Sequence, residues 1–149
     1  RGFMTDLSKV RRNETSQLVY HKTLNYGDCI LEKRAAAAAG INEKIFINTK
    51  GQISEGTVCN VFFVRKNMIY TPQLSCGLLP GILREYIMER FQVTETIIYP
   101  DELMYYEECF VTNSLMGVMP VRQLGNICFP HRAKADEVRE VYEKEKMSL

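Results

Sequence analysis

From Lys44 to Arg122 the chain returns repeatedly to strand-length apolar runs, several joined by tight turns, and this most restricts its fold. Lys44–Asn48 and Val58–Val64 are rich in β-branched and aromatic residues, and Met68–Thr71, Val93–Ile98, Glu108–Thr112 and Val118–Arg122 continue the extended pattern. Lys50-Gly51 and Lys66-Asn67 supply hairpin turns. Upstream, Ser8–Tyr20 predicts a strand, a turn about Arg11-Arg12-Asn13-Glu14, and a second short strand. Helical spacing is confined to a few segments. The first is Asp28–Ala39, with Asp28 as cap, Ile30, Leu31, Arg34 and Ala38 at helical intervals, the alanine run Ala35–Ala39, and Gly40 as stop. A second begins near Gly81, behind Pro80, and runs to about Phe91 with Ile82, Tyr86 and Ile87 on one face. Ala133 to about Lys146 closes the chain with Val138 and Tyr142 as its inward stripe, and Asp101–Tyr105 forms a helical turn. Many strands against few helices predict a mixed α+β domain. A chain of 149 residues can bury roughly two thirds of its unfolded surface, so one core suffices without metal or disulfide.

Charge and cysteine usage narrow the partners. Nineteen Lys+Arg against eighteen Asp+Glu leave +1, too weak a field to hold a polyphosphate backbone, so nucleic acid is not expected. Cys29, Cys59, Cys76, Cys109 and Cys128 form no C-x-x-C pair, and only His21 and His131 could join them as ligands. Neither a zinc site nor a disulfide framework is expected; free, buried thiols fit a reducing cytoplasm. No apolar run approaches the ~18 residues that span a bilayer, so no membrane is expected either. Lys9, Arg11 and Arg12 read as a solvated strand face, Tyr105-Tyr106 and Phe62-Phe63 as divided between core and interface, and His131 as an ordinary loop residue. The opening Arg1 predicts numbering that begins inside a longer chain.

Four clusters are polar or glycine-rich where strands end or helices begin. They are His21-Lys22-Thr23-Leu24-Asn25-Tyr26, Ile53-Ser54-Glu55-Gly56-Thr57 with Asn60, Gly77-Leu78-Leu79-Pro80-Gly81-Ile82-Leu83-Arg84, and Thr112-Asn113-Ser114-Leu115-Met116-Gly117. The second is expected to be a polar turn between two apolar strands. The third places free amides at a helix start, a ready anion site. With Arg12-Asn13-Glu14-Thr15-Ser16 before them, these stretches in this order resemble the class IV (fold type IV) pyridoxal-phosphate enzymes, from about Ser8 to Gln123. That family includes branched-chain and D-amino-acid aminotransferases and aminodeoxychorismate lyase.

The resemblance implies a D-amino-acid-aminotransferase-like fold, in which residues 1–149 are the larger carboxy-terminal domain, a mixed barrel-like sheet with flanking helices. The smaller amino-terminal domain, which in the family supplies an arginine for the phosphate and one wall of the pocket, is not matched. The implied cofactor is pyridoxal 5′-phosphate, and the implied assembly a homodimer acting on a small amino-acid-like substrate. Such an enzyme needs one amine to hold the cofactor aldehyde and to shuttle the substrate α-proton; by resemblance this is Lys22. Glu55 matches the carboxylate beside the ring nitrogen, and Tyr26 a position against the ring phenolate. Ile82 and Leu83 match the helix start whose backbone N–H groups bind the phosphate, and Ser114 a hydroxyl contact. Asn113 and Leu115 match positions near the substrate carboxylate. Many relatives carry threonine where this chain has Leu83, and Gly27-Asp28 departs from the more frequent leucine-containing continuation. The stretches Lys22–Tyr26 and Asn113–Val121 resemble the lyase branch, which forms 4-aminobenzoate and pyruvate. A class IV aminotransferase is the alternative reading, and a non-catalytic domain retaining a remnant of the site is a third. The 149 residues alone are expected to be inactive.

Overall fold

The structure, a computed structural model, describes residues 2–15, 33–34, 37–38 and 40–147. The strands are β1 (Phe3–Arg12), β2 (Glu43–Asn48), β3 (Ile53–Gly56), β4 (Asn60–Arg65), β5 (Met68–Pro72), β6 (Val93–Thr96), β7 (Glu108–Asn113), β8 (Gly117–Leu124) and β9 (Ile127–Cys128). The helices whose bounds lie among the described residues are α1 (Ile82–Arg90) and α2 (Ala133–Met147), with short 3₁₀ turns at Leu74–Cys76 and Pro100–Tyr105. The nine strands among the described residues join one mixed sheet in the order β3-β2-β1-β8-β7-β4-β5-β6, with β9 on β8. β1 runs parallel to both β2 and β8, and β5 parallel to β6; the other pairs are antiparallel. The two ends of this path meet where the Ile53 amide donates to the Ile98 carbonyl at 2.7 Å, just beyond β6. The α+β, barrel-like architecture expected from the sequence is therefore the one observed.

Several boundaries differ from expectation for identifiable reasons. β1 starts at Phe3, not Ser8, because Phe3–Leu7 is the stretch that pairs with β8 and the first half of β2. Its register slips between Leu7 and Arg11, and the Ser8 hydroxyl accepts the Val10 amide across that bulge at 3.0 Å. The second short strand expected before Tyr20 lies outside the described residues, as does most of the helix expected over Asp28–Ala39. The described residues 33–34 and 37–38 are helical, and Gly40 follows at φ +73°. The Lys66-Asn67 turn is as expected. Arg65 pairs with Met68, and both turn residues have positive φ (51° and 65°), the type I′ geometry of a two-residue hairpin.

Alternation along β4 divides the core between the two faces of the sheet. Phe63 points inward with Ile45, Val61, Val111 and Phe129, its ring tilted against Tyr106 at 5.3 Å. Phe62 points outward and stacks on Phe110 at 4.9 Å, beneath Leu83 and Ile87 of α1 and Ala135 and Val138 of α2. The doublet is thus all core, whereas Tyr105 is exposed and Tyr106 half-buried. Tyr142 of α2 meets Tyr86 of α1 edge-on at 5.5 Å, which gives α2 the inward stripe expected. The inward face of α1 differs from expectation: Ile82 is 81% exposed, while Leu83, Arg84 and Ile87 are buried.

A distant carboxylate caps α2. Glu108 of β7, buried, accepts the Lys134 and Ala135 amides at 3.0 Å each. A negative charge there satisfies donors that lack intrahelical partners and suits the helix dipole. Glu108→Ala should cost about 1–2 kcal/mol, as loss of an N-cap does. Equilibrium urea unfolding reads this directly, and an unchanged midpoint would contradict the capping role.

Candidate active site

One end of the sheet collects the polar clusters. The Ile53–Thr57 stretch is not the turn expected. Ile53–Gly56 is strand β3, antiparallel to β2 and buried throughout. Its polar residues tolerate burial because each has a partner on the loop before α1. The Ser54 hydroxyl donates to the Gly77 carbonyl at 3.0 Å, and Glu55 Oε1 accepts the Leu79 amide at 3.0 Å. Glu55 is 6% exposed, so its carboxylate is fixed rather than freely hydrated.

Asn60, the first residue of β4, clamps the same loop from the other side. Its Nδ2 donates to the Leu79 carbonyl at 2.9 Å, and its Oδ1 accepts the Gly81 amide at 3.3 Å. A Cβ on Gly81 would lie 2.6 Å from that Oδ1, so only glycine lets Asn60 approach so closely. Gly81 is also the N-cap of α1, in extended conformation (φ −62°, ψ 155°) and with no side-chain capping bond. The amides of Ile82 and Leu83 therefore begin a helix whose positive end is not closed by its own cap.

The β7–β8 turn completes the arrangement. Asn113 Nδ2 donates to the Val58 carbonyl at 2.9 Å, while its Oδ1 accepts the Leu115 and Met116 amides at 3.0 and 2.7 Å. Gly117 leaves the turn at φ +77°. Ser114 is exposed and Leu115 is 96% exposed. Val58 (48%), Ile82 (81%) and Leu115 are the exposed large apolar side chains on the three segments that carry these polar groups, their apolar rim.

Of the residues expected to act, the structure brings Glu55, Ile82, Leu83, Asn113, Ser114 and Leu115 to this end of the sheet. Lys22 and Tyr26 lie outside the described residues. The Leu83 side chain is 3% exposed and packs in the outer core with Phe62 and Ile87, so Leu83 can serve a ligand only through its amide. Asn113 commits its side chain to two bonds within the turn and one to Val58. The sequence reading missed Glu43, a β2 carboxylate 1% exposed that accepts from Thr57 Oγ1, the Val58 amide at 3.4 Å and Cys59 Sγ at 3.1 Å. Burial pushes the Cys59 thiol well above its usual range, with Glu43 and then Glu55 adding to the shift, so Cys59 remains a protonated donor. No spacing rule marks a lone glutamate opening a strand; its role exists only once the β3–β4 loop folds over it.

Comparison with known proteins shows the family and the fold. Residues 4–124 match the family model of class IV amino-transferases, and the chain belongs to that family. It is 36% identical over 134 residues to a "Probable branched-chain-amino-acid aminotransferase" of Thermotoga maritima, covering 86% of this chain and 48% of that protein. Among solved structures, a "Putative 4-amino-4-deoxychorismate lyase" from Legionella pneumophila superposes with a TM-score of 0.88 at 27% identity, over 97% of this chain and 56% of that one. The branched-chain amino acid aminotransferase of Thermobaculum terrenum in its PLP form superposes with a TM-score of 0.83 at 26% identity, over 95% and 51%. The chain thus spans about half the length of these relatives.

Proposed function

We propose that residues 1–149 are the carboxy-terminal, cofactor-binding domain of a pyridoxal-phosphate enzyme of class IV, and that the complete protein is a 4-amino-4-deoxychorismate lyase. The observation that carries the cofactor reading is the open N-terminus of α1, held by Asn60 beside the buried carboxylate of Glu55. Pyridoxal phosphate presents a dianionic phosphate and a ring nitrogen that is best kept protonated, and this donor set fits both. Uncapped amides of Ile82 and Leu83 with the Ser114 hydroxyl suit the phosphate, and Glu55 suits the pyridinium. When bound, the cofactor supplies the electron sink for a carbanion at the substrate α-carbon. By the family resemblance, Lys22 would hold the cofactor and move the α-proton, and Tyr26 would hydrogen-bond the ring phenolate or pack beside it. Asn113 shapes the turn that presents Ser114 and Leu115 to the substrate.

The lyase reading rests on the Asn113–Val121 stretch, in which a large apolar residue, Leu115, stands fully presented on the rim. Aminotransferases of the family more often place small or hydroxyl residues there. A branched-chain aminotransferase is the second reading, favoured by the name of the Thermotoga maritima relative. A homodimer with its sites near the subunit contact accompanies either, and a cytoplasmic location suits the free thiols of Cys59, Cys76, Cys109 and Cys128. A product assay on the complete enzyme separates the two. Release of pyruvate and 4-aminobenzoate from aminodeoxychorismate is the expected result. Keto-acid-dependent exchange of the amino group, without pyruvate release, would replace the lyase with the aminotransferase.

A further inference from the structure

We propose that Glu43 is a positioning residue of the cofactor cradle: its buried carboxylate anchors the β3–β4 loop, and that loop sets Glu55, the start of α1 and the Ser114 turn relative to one another. This rests on the cofactor reading above.

The loop lies directly on the carboxylate. Three consecutive residues direct donors at Glu43: the Thr57 hydroxyl, the Val58 amide and the Cys59 thiol, with the Lys44 amide as a fourth donor at 2.9 Å. Gly56 closes the loop by donating to the Cys59 carbonyl at 2.8 Å. A Cβ on Gly56 would fall 2.5 Å from Cys59 Sγ and 3.0 Å from Glu43 Oε2. Glycine at this point is therefore demanded by the carboxylate and thiol pressed against it.

A carboxylate is a costly way merely to fill space. Removing its charge from water carries several kcal/mol of penalty, and an apolar side chain would cover the loop more cheaply. What the carboxylate adds is direction. It accepts only, so it selects the loop conformation that turns three donors inward.

That conformation feeds every part of the cradle. Glu55 lies two residues before Thr57, with Gly56 between, and receives the Leu79 amide. Val58 presents its carbonyl to Asn113, whose other contacts build the Ser114 turn. Asn60 immediately follows the loop and holds Leu79 and Gly81 at the entrance to α1. A small displacement of residues 57–59 therefore moves the ring-nitrogen carboxylate and the phosphate donors against each other. A structural carboxylate elsewhere in the sheet would lack that consequence.

The test uses the full-length enzyme, native and as Glu43→Gln and Thr57→Val, each titrated with pyridoxal phosphate. Three quantities are read: cofactor affinity, the pH midpoint of the bound cofactor's visible band, and the unfolding temperature of the cofactor-free protein. Glu43→Gln keeps the shape but turns an amide donor toward the loop's donors. It should weaken cofactor binding about 10-fold or more, on the scale seen when groups orienting a ligand sphere are lost, and displace the band's pH midpoint. Thr57→Val should move both in the same direction by less. Unfolding temperature alone would report only folding. If either folded variant binds the cofactor within about twofold of native with an unmoved midpoint, Glu43 does not position the cradle. Should Glu43→Gln fail to fold, Thr57→Val decides alone by the same criterion. A native enzyme that shows no cofactor band attached at Lys22 overturns the cofactor reading and this inference together, whereas a normal native band with unaltered variants overturns only the inference.

Discussion

Lys22→Ala in the full-length enzyme is expected to lose turnover by at least about 10³-fold, since a positioned general base contributes about 10²–10⁴ and covalent attachment is lost as well. The reaction needs an amine that is neutral while poised, and a neighbouring pyridinium with partial burial lowers a lysine pKa toward that state. Glu55, Asn60 and the α1 amides are held by bonds within the 54–81 region. The variant should therefore still bind pyridoxal phosphate, now reversibly. In the native protein, borohydride should bleach the visible band and leave the label on Lys22; in the variant it should fix nothing. Retained turnover, or label spread over surface lysines in the native protein, would refute the assignment.

The parts of the fold legible in the sequence are those specified by neighbouring residues. The β4–β5 hairpin is one, because a two-residue turn between apolar runs sets the register by itself. The start of α1 is another, marked by Pro80-Gly81. The parts that were not legible depend on distant partners. Ser54 and Glu55 look like a polar turn because periodicity records polarity, not satisfaction; their partners lie 23 and 24 residues away. The same limitation misplaced the inward face of α1. Arg84 is buried because Glu95 and Pro72 receive it, which leaves Ile82 on the rim. Ordered motifs singled out Glu55, Gly81-Ile82 and Asn113-Ser114 as candidates, whereas Glu43 carries no motif and bonds a loop 14 to 16 residues away.

Arg84 and Glu95 should respond asymmetrically to substitution, and the asymmetry identifies what secures α1 to the sheet. The Arg84 guanidinium is 1% exposed. It donates to Glu95 Oε2 at 2.8 Å and to the Pro72 carbonyl at 3.2 Å, and lies 3.6 Å from Glu85. Its Nε finds no partner among the described residues. Glu95 is 40% exposed, so water can solvate its carboxylate if Arg84 is removed. The guanidinium cannot discard its proton, and it stands near the positive end of α1, where a cation is disfavoured. Glu95→Ala strands that buried charge and should cost about 3 kcal/mol, the lower end for breaking a buried pair because Pro72 and Glu85 remain. For a chain of this size that is roughly 6–12 °C in unfolding temperature. Arg84→Met keeps the volume and removes both the charge and the orphaned Nε. It should cost less than about 1.5 kcal/mol. The double variant should resemble Arg84→Met alone, a coupling that a double-mutant cycle in urea unfolding measures. Equal losses for Glu95→Ala and Arg84→Met would show that packing, not the buried charge, controls this contact. The placement of the Ile82 and Leu83 amides would then rest on that packing and on the bonds from Ser54, Glu55 and Asn60 to the loop before α1.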